Sequence, residues 1–214
     1  ARNMIKELKN RLSMIWEIEA EEIAFDNGNF SSKSDSELSI NIRDLAKKLD
    51  GTGGPVSSVG SVDLDSSTHG FGTHIVDLEI DPETGKTDII KYTAVQDVGR
   101  AIHPSYVEGQ IQGGAAQGIG WALNEEYFIN EKGKMLNSSY LDYRMPTALD
   151  LPMIDTILVE NENPEQPFGV RGVGEVPICP PLGAISNAIK DALGIRLNDL
   201  PMKPSVILKA LSKK

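Results

Sequence analysis

Hydrophobic residues recur at helical spacing in some stretches of the chain and at strand spacing in others. Near the start, Ile5, Leu8, Leu12 and Ile15 are three or four residues apart. This spacing places them on one side of a helix and predicts an amphipathic helix over residues 2–16.

Turn and capping residues delimit the next elements. Asp26-Asn27-Gly28 lies between apolar residues and predicts the turn of a small hairpin. Asn41 is a favourable N-cap, and it predicts a short helix over residues 42–49.

The glycine-rich run at residues 51–55 predicts a loop and the best internal boundary. The predicted organisation therefore has a first part, 1–55, with a helix, a hairpin and a short helix. The second part, 56–214, holds the remaining elements, and we expect one core to continue through both parts.

Beyond Val56 the pattern changes from helical to strand spacing, and helices return later. The predicted elements are strands at 74–81 and 86–96, a helix at 104–123, a hairpin of 126–129 with 134–137, a strand at 153–159, and helices at 177–193 and 205–211. Hairpin connections dominate over strand–helix–strand alternation. The predicted fold class is therefore α+β, with a mixed, mostly antiparallel sheet and packed helices.

Composition narrows the classes of partner. The net charge of −10 argues against nucleic acid and against an anionic membrane as partners. No apolar run approaches the roughly 20 residues that a membrane helix needs, and the N-terminus carries no signal-peptide pattern. A single cysteine excludes an internal disulfide and a cysteine-built zinc site. We therefore expect a cytoplasmic protein.

One glutamate stands in an unusual setting. Glu175 ends the run Gly172-Val173-Gly174-Glu175, just before an apolar stretch with helical character. A lone glutamate at a helix start usually does no more than favour the helix dipole. Here the surrounding glycines let another group approach the backbone, and we expect Glu175 to be partly buried. A carboxylate in that position can act as a general base.

A second glycine-rich run covers residues 108–120. Most of its glycines are expected to allow close packing of a helix, and three glutamines remain: Gln110, Gln112 and Gln117. Amides both donate and accept hydrogen bonds, so they suit a heterocyclic ligand. The run lacks the Gly-Lys-Ser/Thr of a phosphate-binding loop and the spacing of a dinucleotide fingerprint.

The other chemically active residues are weaker candidates. No third ligand is evident near His69 and His74, so no metal site is predicted. Cys179, in the first turn of a predicted helix, is expected to be a packing residue. Asp97 and Arg100 are expected to pair locally or to brace the turn that follows.

The ordered motifs together resemble one family. They are, in sequence, 76–85 (VDLEIDPETG), 97–104 (DVGRAIHP), 107–114 (VEGQIQGG), 116–120 (AQGIG) and 172–175 (GVGE). They resemble the molybdenum hydroxylases, which include xanthine dehydrogenase, aldehyde oxidase, carbon monoxide dehydrogenase and 4-hydroxybenzoyl-CoA reductase. The resemblance is to the C-terminal part of the molybdopterin-binding large subunit and covers nearly the whole chain.

The resemblance implies an oxidoreductase that inserts water-derived oxygen at a carbon centre of a small-molecule substrate. Glu175 would be the active-site base that takes a proton from the metal-bound hydroxyl. Gln110 would contact the pterin, with Gly109 and Gly174 at the cofactor, and no protein side chain on this chain would bind the metal. The cofactor would be molybdopterin in its cytosine dinucleotide form.

The resemblance also implies partners. They would be the remaining N-terminal half of the molybdenum subunit, and iron–sulfur and FAD-containing subunits or domains in an oligomeric assembly. The family's upstream cofactor-binding loops are not in this sequence, which opens directly in a helix. We therefore expect a piece of a longer protein that alone is inactive and binds no molybdenum.

Two other hypotheses remain open. A non-catalytic scaffold or assembly fragment could retain the fold, although Glu175 and its glycines are intact here. A nucleotide-binding module built on residues 109–120 is the weakest reading, because a phosphate loop is missing. The substrate, whether purine, aldehyde, carbon monoxide or aryl-CoA, is not determined by these residues.

Overall fold

A computed structural model describes residues 1–62 and 69–213. The chain divides into two compact units, residues 1–63 and 64–214. The predicted boundary at residue 55 lies eight residues before this division (63 − 55), and the predicted domain organisation itself stays a prediction.

The first unit contains two helices and a three-stranded antiparallel sheet. Its elements are α1 (Arg2–Trp16), β1 (Ile23–Asp26), β2 (Asn29–Ser32), β3 (Ser39–Asn41) and α2 (Ile42–Ala46). The predicted N-cap is present, because the Asn41 side chain accepts a hydrogen bond from the Asp44 backbone N–H. The α2 helix is shorter than predicted, and a 3₁₀ turn, Leu49–Thr52, follows it.

The hairpin between β1 and β2 forms as predicted. Asn27 and Gly28 both have positive φ, at 45° and 83°, which a two-residue turn of this hand requires. The buried cluster of this unit consists of Leu8, Leu12, Ile23, Phe30, Leu45 and Leu49.

The second unit carries the longer elements. They are β4 (Gly72–Ile80), β5 (Thr87–Asp97), α3 (Pro104–Leu123), β6 (Ile154–Val159), α4 (Pro180–Leu193) and α5 (Pro204–Leu211). Its sheet has the order β4-β5-β6, with β5 antiparallel to β4 and parallel to β6. The predicted mixed, mostly antiparallel α+β fold is confirmed.

Helix α3 is the crossover that makes β5 and β6 parallel neighbours. Its Ile111, Ala115 and Ile119 are buried in one cluster with Tyr92 and Ala94 of β5.

Three predictions about the second unit need correction. The hairpin over residues 126–137 is reduced to a single bridge, Ile129 with Met135. The helix predicted from Pro177 begins at Pro180, after a 3₁₀ turn, Val176–Ile178. Strands were expected from Val56 onward, but the first strand of this unit in the described residues begins at Gly72. Residues 63–68 lie outside the described part.

Candidate functional site

Helix α3 has two contrasting faces. The inner face comprises Ile111, Gly114, Ala115, Gly118 and Ile119, all of which are buried. The outer face comprises Tyr106, Gly109, Gln110, Gly113 and Gln117, all of which are exposed. Apart from the adjacent pair Gly109 and Gln110, these residues follow at intervals of three or four, so they form one stripe along the helix.

The inner glycines bring the backbone of residues 174–181 against the helix. A Cβ at Gly118 would lie 2.2 Å from the Ile178 carbonyl oxygen, and one at Gly114 would lie 2.4 Å from Pro177 Cγ. Only glycine permits this approach. The segment that carries Glu175 is therefore packed directly on α3.

The two sequence-predicted segments meet at Gln110. Its Oε1 lies 3.5 Å from the position that a Cβ on Gly174 would occupy. Gly174 immediately precedes Glu175, which is 65 residues after Gln110 in the chain (175 − 110). The structure thus brings Gln110 against Gly174, the residue before Glu175, whereas Gln110 does not line the groove at Glu175.

Glu175 is exposed at the start of the Val176–Ile178 turn, so the expected partial burial is wrong. Its backbone carbonyl accepts a hydrogen bond from Ile178 N at 3.1 Å, which ends the preceding loop. A groove of about 380 Å³ lies beside it, lined by His69, Gly70, Arg171, Gly172, Gly174, Glu175 and Val176. The carboxylate is accessible to a ligand that enters this groove.

The outer face of α3 leaves open space at its glycines. Among the described residues, no atom lies within 4 Å of a Cβ built on Gly109 or Gly113, the helix's own nearby backbone aside. A glycine inside a helix costs about 0.8–1.0 kcal/mol relative to alanine. The described neighbours give no packing reason for these two glycines, whereas Gly114 and Gly118 have one.

The three glutamines of α3 differ in their surroundings. Gln112 Nε2 donates a hydrogen bond to the Ile154 carbonyl at 3.1 Å and so links α3 to β6. Gln110 and Gln117 are exposed on the outer face. Gln110 is distinguished from Gln117 by its position against Gly174.

An ion pair that the sequence reading missed lies at the edge of the groove. Asp97 pairs with Arg171, whose Nε is 3.2 Å from Asp97 Oδ2, and not with Arg100. The other expectation, that Asp97 braces the following turn, is confirmed, because Asp97 Oδ1 accepts a hydrogen bond from Gly99 N at 3.0 Å. The distance between Arg171 Nε and Asp97 Oδ2 is that of an ion pair, but the orientation of the two groups is not that of a hydrogen bond. Both side chains are largely buried, with 14% and 11% exposed. Since the partners are far apart in sequence, no local pattern could have indicated this pair.

The three histidines have different surroundings. His69 lines the groove, and its carbonyl accepts a hydrogen bond from Arg171 Nη1 at 3.1 Å. His74 Nδ1 lies 2.8 Å from the Tyr92 hydroxyl, and burial lowers the pKa of His74 to about 4. His103 stacks on Tyr106 with ring centroids 4.0 Å apart.

Cys179 does not have the packing role that was expected, because it is exposed. It lies one position before the first residue of α4. Within residues 1–62 and 69–213, no group of three or more His, Cys, Asp or Glu side chains is placed to hold a metal ion.

Another hollow of the second unit, of about 1100 Å³, lies apart from this groove. It is lined mainly by residues from the stretch 123–150, together with Lys203 and Pro204. None of the sequence-predicted site residues lines it. The smaller groove at Glu175 is therefore the candidate site, because predicted site residues line it.

Comparison with known proteins gives consistent matches. A family model described as "Molybdopterin cofactor-binding domain" matches residues 1–152. The xanthine dehydrogenase molybdenum-binding subunit of Escherichia coli O157:H7 is 40% identical over 153 residues, which are 71% of this chain and 20% of that subunit.

Two solved structures have the same fold over nearly the whole chain. Carbon monoxide dehydrogenase from Oligotropha carboxidovorans matches with a TM-score of 0.78 and 25% identity, covering 99% of this chain and 27% of that one. Quinoline 2-oxidoreductase from Pseudomonas putida 86 matches with a TM-score of 0.77 and 28% identity, covering 98% of this chain and 28% of that one. The chain therefore spans only about a fifth to a quarter of these proteins.

No helix in the described parts of the chain combines the length and the apolar character required to cross a membrane.

Proposed function

Because the chain belongs to the molybdopterin cofactor-binding domain family, we propose that it forms part of the molybdenum-binding subunit of a hydroxylase-type oxidoreductase. In this proposal Gln110, Gly109 and Gly174 contact the cofactor, in its cytosine dinucleotide form, and Glu175 is the active-site base. Iron–sulfur and FAD-containing partners would receive the electrons. The whole enzyme would oxidise a carbon centre of a small molecule.

One observation carries the proposal. Gln110 Oε1 lies 3.5 Å from the Cβ position of Gly174, so the glutamine of α3 and the Glu175 turn meet at one exposed place. An amide that can donate and accept hydrogen bonds thus lies against the residue that precedes an accessible glutamate. This placement supports a role for Gln110 toward a heterocyclic cofactor and for Glu175 as a general base.

The residues present fit the cofactor. The Cβ positions of Gly109 and Gly113 are open among the described residues, so a flat ring system can approach the helix backbone between Tyr106 and Gln117. When bound, the cofactor supplies a redox-active molybdenum centre that accepts electrons from the substrate.

The chain's own residues then have distinct tasks. Gln110 donates to and accepts from the heterocycle through its amide. Gly174 removes a side chain from the space between Gln110 and the groove, and Glu175 presents a carboxylate oxygen to the groove. A carboxylate there can take a proton from the oxygen nucleophile as the substrate is attacked.

Replacement of Glu175 by glutamine in the complete enzyme tests this proposal. The change keeps the size of the side chain but removes the proton acceptor. Turnover per bound molybdenum should fall by about 10²–10⁴-fold, the contribution of a positioned general base. Substrates to assay are xanthine, an aldehyde, quinoline, carbon monoxide and an aryl-CoA thioester, with a dye as electron acceptor.

Glu131→Gln is the matched control, since Glu131 is an exposed glutamate in a turn remote in sequence from the groove. It should retain normal turnover. If Glu175→Gln keeps both molybdenum and turnover, the base assignment is refuted and the alternative, a non-catalytic scaffold or assembly fragment, gains support.

A further inference from the structure

The loop that leads to Glu175 is attached to the end of β5 by its backbone. Arg100 N donates to the Gly169 carbonyl at 2.9 Å, and Arg171 N donates to the Val98 carbonyl at 3.1 Å. Gly99, at φ +65°, lies so close that a Cβ would be 2.4 Å from the Gly169 oxygen. These contacts hold the loop as far as residue 171.

The Arg171 side chain strengthens the same attachment. Its guanidinium pairs with Asp97 at the end of β5 and donates to the His69 carbonyl. Asp97 Oδ1 in turn accepts from Gly99 N at 3.0 Å. One side chain therefore connects the strand end, the segment at His69 and the loop that carries Glu175.

Between Arg171 and Glu175 the chain is restrained by one side chain, Val173, which is half-buried against the hydrophobic core. Two of the three intervening residues are glycines, and both are exposed. Glycine leaves the backbone more conformational freedom than any other residue. On the far side, Pro177 packs on Gly114 of α3 and fixes the chain after Glu175.

The orientation of Glu175 therefore depends on the packing of Val173 and on one attachment on each side of the turn, at Arg171 and at Pro177. Arg171 is poorly placed to bind a ligand by itself, because its side chain is 14% exposed and already engages a carboxylate and a carbonyl.

We propose that Arg171, through its pair with Asp97, is a positioning residue that fixes the Gly172–Glu175 turn for catalysis. This inference rests on the proposed role of Glu175. A displacement of about 1 Å at a reacting group can lower the rate by about 10²-fold, so the loss of the pair should reduce turnover without removing the cofactor.

The test compares Arg171→Gln, Arg171→Lys and Asp97→Asn in the assembled enzyme. Arg100→Gln is the matched control, because Arg100 is an exposed arginine at the same turn with no ion pair among the described residues. Two quantities are measured: turnover per bound molybdenum, and amide hydrogen exchange of a peptide covering residues 170–176.

Arg171→Gln should lower kcat per molybdenum at least 10-fold, with a smaller change in KM, and should speed exchange in the 170–176 peptide. Arg171→Lys keeps the charge, so its kcat per molybdenum and its exchange rate should lie between those of Arg171→Gln and the parent. Arg100→Gln should change neither quantity. Asp97→Asn removes the charge of the partner but retains an acceptor for Gly99 N. If Arg171→Gln does not fold, Asp97→Asn tests the same ion pair with the same two measurements.

Normal exchange and normal kcat per molybdenum in Arg171→Gln and Asp97→Asn would overturn the proposal. A purely structural role would instead lower the yield of folded, molybdenum-containing enzyme and leave kcat per molybdenum unchanged. Failure of the base assignment is separate, since it appears as full activity in Glu175→Gln.

Discussion

The two faces of α3 use glycine for opposite purposes. On the inner face, Gly114 and Gly118 are buried, and a side chain at either would collide with the 177–181 segment. On the outer face, Gly109 and Gly113 are exposed, and among the described residues nothing lies near their Cβ positions. In the same helix, glycine thus permits close packing on one face and leaves open space on the other.

The contrast shows which glycines serve the fold and which require another explanation. Inner glycines allow the helix and the Glu175 segment to approach each other, which offsets their cost in helix stability. Outer glycines have no such compensation in the described part of the chain. A group that binds from outside, beside Gln110, supplies the missing reason.

The largest effect on stability is expected on the inner face. Gly118→Ala places a Cβ 2.2 Å from the Ile178 carbonyl oxygen, and the nearby backbone cannot yield as a flexible side chain would. We expect a loss of about 1–3 kcal/mol in unfolding free energy. Urea denaturation at neutral pH measures it.

Gly183→Ala is the control for that experiment. Gly183 lies within α4 and has no described atom within 4 Å of its Cβ position. The variant should be as stable as the parent or slightly more so. A Gly118→Ala protein of unchanged stability would contradict the packing assigned to the inner face.

A smaller effect of opposite sign is expected on the outer face. Gly113→Ala should stabilise the protein by about 0.5–1 kcal/mol, because alanine is the better helix former and the site is open. The same methyl group should lower the molybdenum content of the assembled enzyme, since it occupies the space proposed for the cofactor. A gain in stability with full molybdenum content would show that the open space has another purpose.

Local sequence signals were sufficient for the helix that carries the site. Pro104 and Ser105 predicted the start of α3 over 104–123, and the structure has Pro104–Leu123. Pro fits the first turn of a helix because its missing N–H would be unbonded there. The Asn27-Gly28 hairpin and the Asn41 cap were predicted on equally local grounds.

Features that depend on distant contacts were not predictable in this way. The Asp97–Arg171 pair joins residues 74 apart (171 − 97), whereas the sequence suggested the nearby Arg100. The parallel pairing of β6 with β5 arises from the path of α3, which no pattern within either strand reveals.

Exposure was also misjudged where apolar neighbours suggested burial. Glu175 and Cys179 follow an apolar stretch, but the glycines and the 3₁₀ turn leave both at the surface. The hairpin predicted over 126–137 kept a single bridge, and its Asn137 side chain instead bonds the backbone of Glu126 and Phe128. Side-chain bonds to the backbone compete there with a regular ladder.

The measurement that tests the central claim most directly compares two glutamines of the same helix. Gln110 is exposed beside Gly174, and Gln112 is bonded to the Ile154 carbonyl. Each is replaced by leucine in the assembled enzyme, and both molybdenum per protein and the unfolding midpoint are recorded under limiting cofactor.

Gln110→Leu should lower cofactor affinity by about 2- to 10-fold, the value of one lost hydrogen bond of roughly 0.5–1.5 kcal/mol, and leave the unfolding midpoint of the cofactor-free protein unchanged. Gln112→Leu should show the reverse, with lower stability and normal affinity in the folded fraction. Full molybdenum retention in Gln110→Leu would contradict the assignment of the outer face of α3 to the cofactor.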